Sequence, residues 1–368
     1  MRLHSLGHDV FASCPYWSVI PCGLGKLLDL GIPVWRRKPA IAPFWIRLLR
    51  KAGFMRQMNW EKKVAANWLQ DLGPDLVCLS DGGILTGVQW AEWCLELGIP
   101  YVVLGQANAV HWWPTDWEGR RRRNAVMEAR SCYFVSRGNL ELFEDQLGIA
   151  IPHAAVVRNP YQVDRTAPID LINPAPDSGP WKLAIVGRLE PEAKGQDIVF
   201  HILSMPNWRC RNVHVSLFGS GPNKDNFELL AEKLDIQKQI SFQGQIADVQ
   251  EIWKTHHALV LPSRYEGLPL VVVEAMMCGR IGIVTDVAGN SEVIEDGVTG
   301  FVAEAATVRH FAAAMERAWD RRSDWGMMGL LAAQRIRELV PEDPAAVFAA
   351  KLVEIAEASP CNKPDLRV

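Results

Sequence analysis

Eight short runs of this chain are almost continuously apolar: LVCLS at 76–80, YVVLG at 101–105, CYFVS at 132–136, KLAIVG at 182–187, VHVSLFG at 213–219, ISFQG at 240–244, ALVLPS at 258–263 and IGIVT at 281–285. A strand with one solvated face alternates apolar and polar residues, whereas a strand covered on both faces does not. Stretches of helical period separate the runs, so the sequence predicts a parallel α/β architecture with helices on both faces of its sheets. Most runs end in Gly or Ser. That sets small residues at the carboxyl edge of each sheet, where open α/β folds bind ligands.

At 368 residues, a prior of about 150 residues per domain gives two domains. The segment RTAPIDLINPAPDSGP (165–180) breaks the rhythm with four Pro and no helical period. It is expected to link a first domain, 1–165, to a second, 181–340, with 166–180 as the linker. A helix over 341–358 is expected to pack back on the first domain, and 359–368 to form a tail. The balance of 49% hydrophobic and 22% charged residues excludes disordered, collagen-like and coiled-coil classes. A net charge of -3 argues against a nucleic-acid partner. No apolar run approaches the roughly 20 residues that span a bilayer, and MRLHSLGHDVFASCP has no continuous secretory h-region. The eight Cys are scattered without a CxxC pair, so reduced cytoplasmic thiols are expected and no zinc or disulfide framework. Fifteen Trp, ten of them before residue 120, are unusual; cores, interfaces, membrane belts and sugar-stacking sites all use Trp.

The chemistry concentrates in the second domain. Strand KLAIVG runs into GRLEPEAKG, where Arg188 and Lys194 flank a turn. Strand ALVLPS runs into RYEGLPLVVVEAMMCG, where seven residues separate Glu266 from Glu274. Glu266 is expected in the loop at the strand's carboxyl end, and Glu274 two turns along a helix beginning near Leu268. The N–H groups of 267–271 would then form an exposed helix start suited to anions and hydroxyls. Two cations and two carboxylates converging on one crevice suit a negatively charged leaving group that bears a polyhydroxylated sugar. Each pair alone reads as a solvated surface; their joint placement at two strand ends does not.

The segments GRLEPEAKGQD, SLFGSGP, FQGQIADVQEIW, LPSRYEGLPLVVVEAMMCG and TDVAGNSEVIEDGVTGF, in this order, resemble the retaining glycosyltransferases of family four. The E-x7-E element in EGLPLVVVE is that family's hallmark, and the strong match spans 182–304. PDLVCLSDGG, GIPYVVLGQAN, CYFVSRGN and VVRNPYQVD extend it weakly through the first domain, with Pro160 where the family has Gly. The resemblance implies a GT-B fold, two Rossmann-like domains facing across a cleft. It implies transfer of a sugar from a nucleotide-diphosphate sugar to a hydroxyl of a glycan or lipid-linked acceptor, with retention and without a metal or other cofactor. By resemblance, Arg188 and Lys194 bind the donor diphosphate, Glu266 and the N–H groups of Gly267, Leu268, Pro269's neighbours and Leu270 hold the sugar, and Glu274 holds the ribose. Gly187 and Gly219 fall at the donor loops, and the backbone at Ile246 contacts the base. The chain has no Asp-x-Asp, so the two cations stand in for a divalent ion. Retention is expected by front-side attack, a donor phosphate oxygen taking the acceptor's proton.

The family's first-domain His falls, by counting from Pro100, on Gln106; His111 lies five residues beyond. Gln106, Asn108 and His111 are the acceptor-side candidates, with Trp112 and Trp113 beside them. The stretch 26–63 carries ten basic residues against Asp29 and Glu61, interleaved with Trp35, Phe44, Trp45 and Phe54. It reads as a partly buried helical hairpin or as a contact with an anionic membrane surface, which would make the protein peripheral on the inner membrane face. A dinucleotide fingerprint fails in FGSGPNK, where Lys224 occupies the third glycine position, and the Gly25-Lys26 pair runs into Leu27 rather than Ser or Thr.

The resemblance also predicts that an opening strand, glycine-rich loop and helix of roughly 20–30 residues are missing ahead of MRLHSLGHDVFAS. On that expectation the alternative is a catalytically impaired nucleotide-sugar-binding or scaffold protein.

Overall fold

A computed structural model describes residues 1–18, 20–38, 60–170 and 179–358. Most of the basic stretch 26–63, the centre of the 166–180 segment and the tail 359–368 lie outside the described residues. The strands are β1 (Ala12–Pro15), β2 (Val34–Arg37), β3 (Val77–Asp81), β4 (Tyr101–Gly105), β5 (Ser131–Phe134), β6 (Ala154–Val156), β7 (Trp181–Val186), β8 (Val213–Phe218), β9 (Ile240–Gly244), β10 (Ala258–Leu261), β11 (Ile281–Thr285) and β12 (Gly300–Ala303). All eight apolar runs form strands. The other four strands, β1, β2, β6 and β12, lie outside those runs and are only three or four residues long.

The chain divides into two compact units. The smaller comprises Met1–Cys78, Gln89–Tyr101 and Ala345–Val368. It contains the parallel pair β1–β2 and the helices Trp60–Leu72 and Gln89–Leu97. Four of its tryptophans pack on one another: Trp35 lies 5.0 Å from Trp68 and Trp90 lies 4.9 Å from Trp93, with the Arg37 guanidinium 4.7 Å above Trp90. These four Trp serve packing, while Trp17 is exposed.

The larger unit comprises Leu79–Val88 and Val102–Pro344, and so holds residues on both sides of the 166–180 segment. Its main sheet has six parallel strands in the order β12-β11-β10-β7-β8-β9. Side-chain alternation splits its core into two. Leu183, Ile185, Val260 and Ile283 face the helices Gln196–Leu203 and Val308–Asp320 through Phe200 and Phe311. Ala184, Leu259, Leu261 and Val284 face the helices Leu270–Met277 and Trp325–Leu339 through Val272, Met276 and Ile336. Trp181, Trp208, Trp319 and Trp325 seal one edge of this core at ring separations of 5.1–6.4 Å.

The strand order decides where ligands go. From β7 the chain proceeds outward through β8 and β9, then returns to place β10 on the other side of β7. The connections diverge between β7 and β10 and leave a crevice beyond their carboxyl ends. A second sheet, β3-β4-β5-β6, has parallel β4–β5 and β5–β6 pairs. Among the described residues no helix is long and apolar enough to cross a membrane.

Candidate active site at the strand switch point

The loop after β7 begins at Gly187 and turns through Arg188 into the short helix Pro191–Lys194. It lies directly on the loop after β8: Gly187 N–H donates to the Phe218 carbonyl at 2.9 Å and Leu189 N–H to that of Ser220 at 3.1 Å. Gly219 is required there. Its φ is +135°, and a Cβ would stand 2.0 Å from the Gly187 carbonyl oxygen.

The loop after β10 carries the carboxylate. Glu266 is buried, and its Oε1 accepts two hydrogen bonds, from Lys194 Nζ at 2.5 Å and from Ser263 Oγ at 2.7 Å. The Lys194 methylenes lie in van der Waals range, 3.5–3.8 Å, of where a side chain on Gly187 would begin, so the lysine runs along the Gly187 backbone. Ser263 is wholly buried, and its own carbonyl accepts the Thr285 hydroxyl at 2.5 Å from the end of β11. Arg264 points the other way into a two-pronged pair with Asp197, both contacts at 2.8 Å, which pins the loop to the helix Gln196–Leu203. Neighbouring strand ends thus hold one carboxylate, with one of its oxygens saturated.

Arg188 stands apart from that cluster. Its side chain is 72% exposed and pairs with Glu190 at 2.9 Å, while its carbonyl accepts from Gln196 Nε2 at 2.6 Å. Gly267 seats the carboxylate loop against the loop after β4: a Cβ there would lie 2.0 Å from the Gln106 carbonyl oxygen. Leu268 and Pro269 are buried, and Leu270 and Val271 are half-buried at the start of the helix Leu270–Met277. Glu274, on that helix, is buried and accepts the Gln162 N–H at 3.0 Å. Burial pushes its carboxyl above the usual range, and the Gln162 hydrogen bond opposes that shift. Ile246 lies at the surface beyond β9, 37% exposed.

The acceptor-side candidates divide. Asn108 N–H bridges to the Glu266 carbonyl at 3.3 Å, but its side chain is buried, donating to Gln146 Oε1 at 3.0 Å and accepting from Ala109 N–H at 2.9 Å. Its visible role is to fasten the β4 loop to the Glu266 loop. Gln106 accepts from Asn159 Nδ2 at 2.8 Å. His111 is exposed, 6.0 Å from the ring of Tyr265, and Trp112 lies 4.8 Å from that ring. Sequence reasoning missed Ser263, Tyr265, Thr285 and Gln162. Ser263 carried one signal, a hydroxyl in an otherwise apolar strand end three residues before Glu266. Among the described residues no group of three or more His, Cys, Asp or Glu is placed to hold a metal ion.

Residues 171–327 match the family described as glycosyl transferases group 1. The chain is 29% identical over 168 residues to the alpha-D-kanosaminyltransferase of Streptomyces kanamyceticus, covering 45% of this chain and 40% of that protein. It is 30% identical over 151 residues to a glycogen synthase of Mycobacterium tuberculosis, covering 39% and 35%. The chain therefore spans only about two fifths of the length of these curated relatives. Among solved structures, Anabaena Alr3699/HepE in complex with UDP and glucose superposes with a TM-score of 0.66 at 18% identity, over 91% of this chain and 88% of that one. The lipopolysaccharide outer core galactosyltransferase WaaB gives 0.62 at 19%, over 91% and 86%. These likenesses show the fold, which is GT-B.

Proposed function

We propose, from the match of residues 171–327 to the glycosyl transferases group 1, that the protein moves a sugar from a nucleotide-diphosphate sugar to a hydroxyl of a glycan or lipid-linked acceptor. The observation that carries the reading is the buried Glu266, held by Lys194 and Ser263 at the switch point between β7 and β10. Oε1 is occupied by those two donors, which leaves Oε2 to accept from donor-sugar hydroxyls. Lys194, with Arg188 on the same loop, supplies positive charge where the diphosphate leaves, and Glu274 accepts from the ribose. The bond from the anomeric carbon to the diphosphate oxygen breaks while the acceptor oxygen bonds to that carbon on the same face. The acceptor's proton passes to a phosphate oxygen of the leaving diphosphate. No protein nucleophile and no divalent ion takes part in this reading; preorganised charge and positioning supply the rate. The UDP and glucose named with Alr3699/HepE make UDP-sugars the first donors to try.

The test is a thermal-shift panel of UDP-, GDP- and ADP-sugars followed by a transfer assay. Stabilisation by a nucleotide-sugar with turnover supports the reading, and stabilisation by none contradicts it. We also propose that the basic, aromatic stretch 26–63 docks the protein on an anionic membrane surface from the cytoplasmic side. Co-sedimentation with anionic vesicles that weakens with salt supports this; no binding at low salt ends it.

A further inference from the structure

Beside the Glu266 loop, in the same compact unit, lies a cavity of about 260 Å³ whose lining includes Gly83, Thr86, Asn108, Trp112 and Arg122. One wall is the loop after β3, and Asp81 fixes it. The Asp81 carboxylate accepts the Gly83 N–H at 3.2 Å, the Gly87 N–H at 3.2 Å and the Thr86 hydroxyl at 2.8 Å. Having donated its proton to Asp81, the Thr86 oxygen is left as an acceptor. Trp112 closes the other side, half-buried and set by its 4.8 Å ring contact with Tyr265, the residue before Glu266. Asn108 lines the cavity and hydrogen-bonds Glu266 through its backbone. Cavity wall and carboxylate loop are therefore one continuous piece of structure.

The helix Asp116–Met127 brings the charge. Of its successive arginines, Arg121 lies over Trp117 at 4.4 Å and Arg123 donates to the Leu147 carbonyl at 3.0 Å. Arg122 lines the cavity and makes no hydrogen bond or ion pair with another described residue. The carboxylate one turn before it, Glu118, accepts from the N–H and hydroxyl of Thr115, both at 2.9 Å, and those bonds, with the weaker pull of the Arg122 and Arg121 charges, hold it below the usual carboxylate range. A half-buried guanidinium that makes no hydrogen bond of its own, sharing a cavity lining with an indole and a hydroxyl oxygen, is a binding inventory. Guanidinium forks match carboxylate and phosphate oxygens. An indole covers the C–H face of a pyranose while its hydroxyls turn to polar groups.

We infer that this cavity takes a pyranoside bearing one anionic substituent, with its ring against Trp112 and its anion on Arg122. The inference deepens the transferase reading and rests on it: the acceptor end is an acidic sugar, seated beside the carboxylate that holds the donor sugar.

Calorimetric titration of the full chain with methyl β-glucuronide, glucose 6-phosphate, methyl β-glucoside and inorganic phosphate tests it. At least one anionic sugar should bind about tenfold or more tighter than the glucoside, as expected for a charge-assisted contact. The two anionic probes separate carboxylate from phosphate as the preferred group. Arg122→Gln should abolish that advantage and leave the glucoside affinity in place, and Trp112→Ala should weaken all three sugars. Equal affinity for glucoside and both anionic sugars, or an advantage that survives Arg122→Gln, overturns the inference. So does inorganic phosphate binding as tightly as glucose 6-phosphate and indifferent to Trp112→Ala. Thermal shift with UDP-, GDP- and ADP-sugars on the same variants keeps the two readings apart. A donor shift that persists while the acidic sugars fail overturns only the acceptor assignment, whereas its absence in the wild type overturns the transferase reading beneath it.

Discussion

Lys194 Nζ and Ser263 Oγ converge on the same oxygen of Glu266, at 2.5 and 2.7 Å, so one carboxylate is oriented by a charge from the β7 loop and a hydroxyl from the end of β10. A lysine stem is long and mobile, while the buried Ser263 is fixed by its own carbonyl's bond to Thr285.

Ser263 is therefore a positioning residue. Ser263→Ala should lower kcat/KM by about tenfold, the scale of one hydrogen bond to a charged group, with circular dichroism unchanged. Ser263→Thr should recover most of the loss. A full loss of activity in both variants, or no loss in Ser263→Ala, would count against the role.

Gly267 has no room for a side chain, since a Cβ would stand 2.0 Å from the Gln106 carbonyl and 2.7 Å from Val135 Cγ2. Gly267→Ala should cost about 2–4 kcal/mol, as overpacking against backbone does, visible as a drop in Tm. Gly82→Ala, where the space is open and φ is not positive, should leave Tm unchanged. Equal Tm values for the two variants would show that the loop shifts freely.

Glu274 gives a pH signature with a definite sign. Burial raises its folded-state carboxyl above the ordinary 4.5, so the folded chain holds a proton that the unfolded chain has released. Its contribution to stability is full below about that value and is lost as pH rises through the raised one. The Tm advantage of wild type over Glu274→Gln should therefore be larger at pH 4.5 than at pH 7. An advantage that grows toward pH 7 would reverse the sign and identify the Gln162 contact as the dominant influence.

The sheet and its carboxyl-edge loops could be read from sequence because strands buried on both faces leave uninterrupted apolar runs, from KLAIVG to IGIVT. The strands β6 and β12 escaped because three or four residues carry no distinguishing period. Arg188, Lys194, Glu266 and Glu274 were visible as charged residues interrupting conspicuous loops. Ser263 was not, because only tertiary structure shows where a hydroxyl points. Asn108 was legible as a polar residue near the site, yet its side chain turns inward to Gln146 and its backbone reaches Glu266. A one-letter code does not distinguish a polar residue that binds a ligand from one that fastens a loop. Where ring pairs are seen, the Trp excess resolves into packing within each unit, apart from Trp112 at the cavity; Trp17, Trp113 and Trp117 are exposed.

The most direct test of the central claim is nucleotide-diphosphate release from UDP-, GDP- and ADP-sugars by wild type and by Lys194→Ala. Both should be assayed after circular dichroism confirms that they are folded. The wild type should release nucleotide from at least one donor. Lys194→Ala should do so about 10²–10³-fold more slowly, the usual loss when a preorganised charge at a developing anion is removed. Release from none of the donors by the wild type, or equal rates in the two proteins, would contradict the assignment of this crevice.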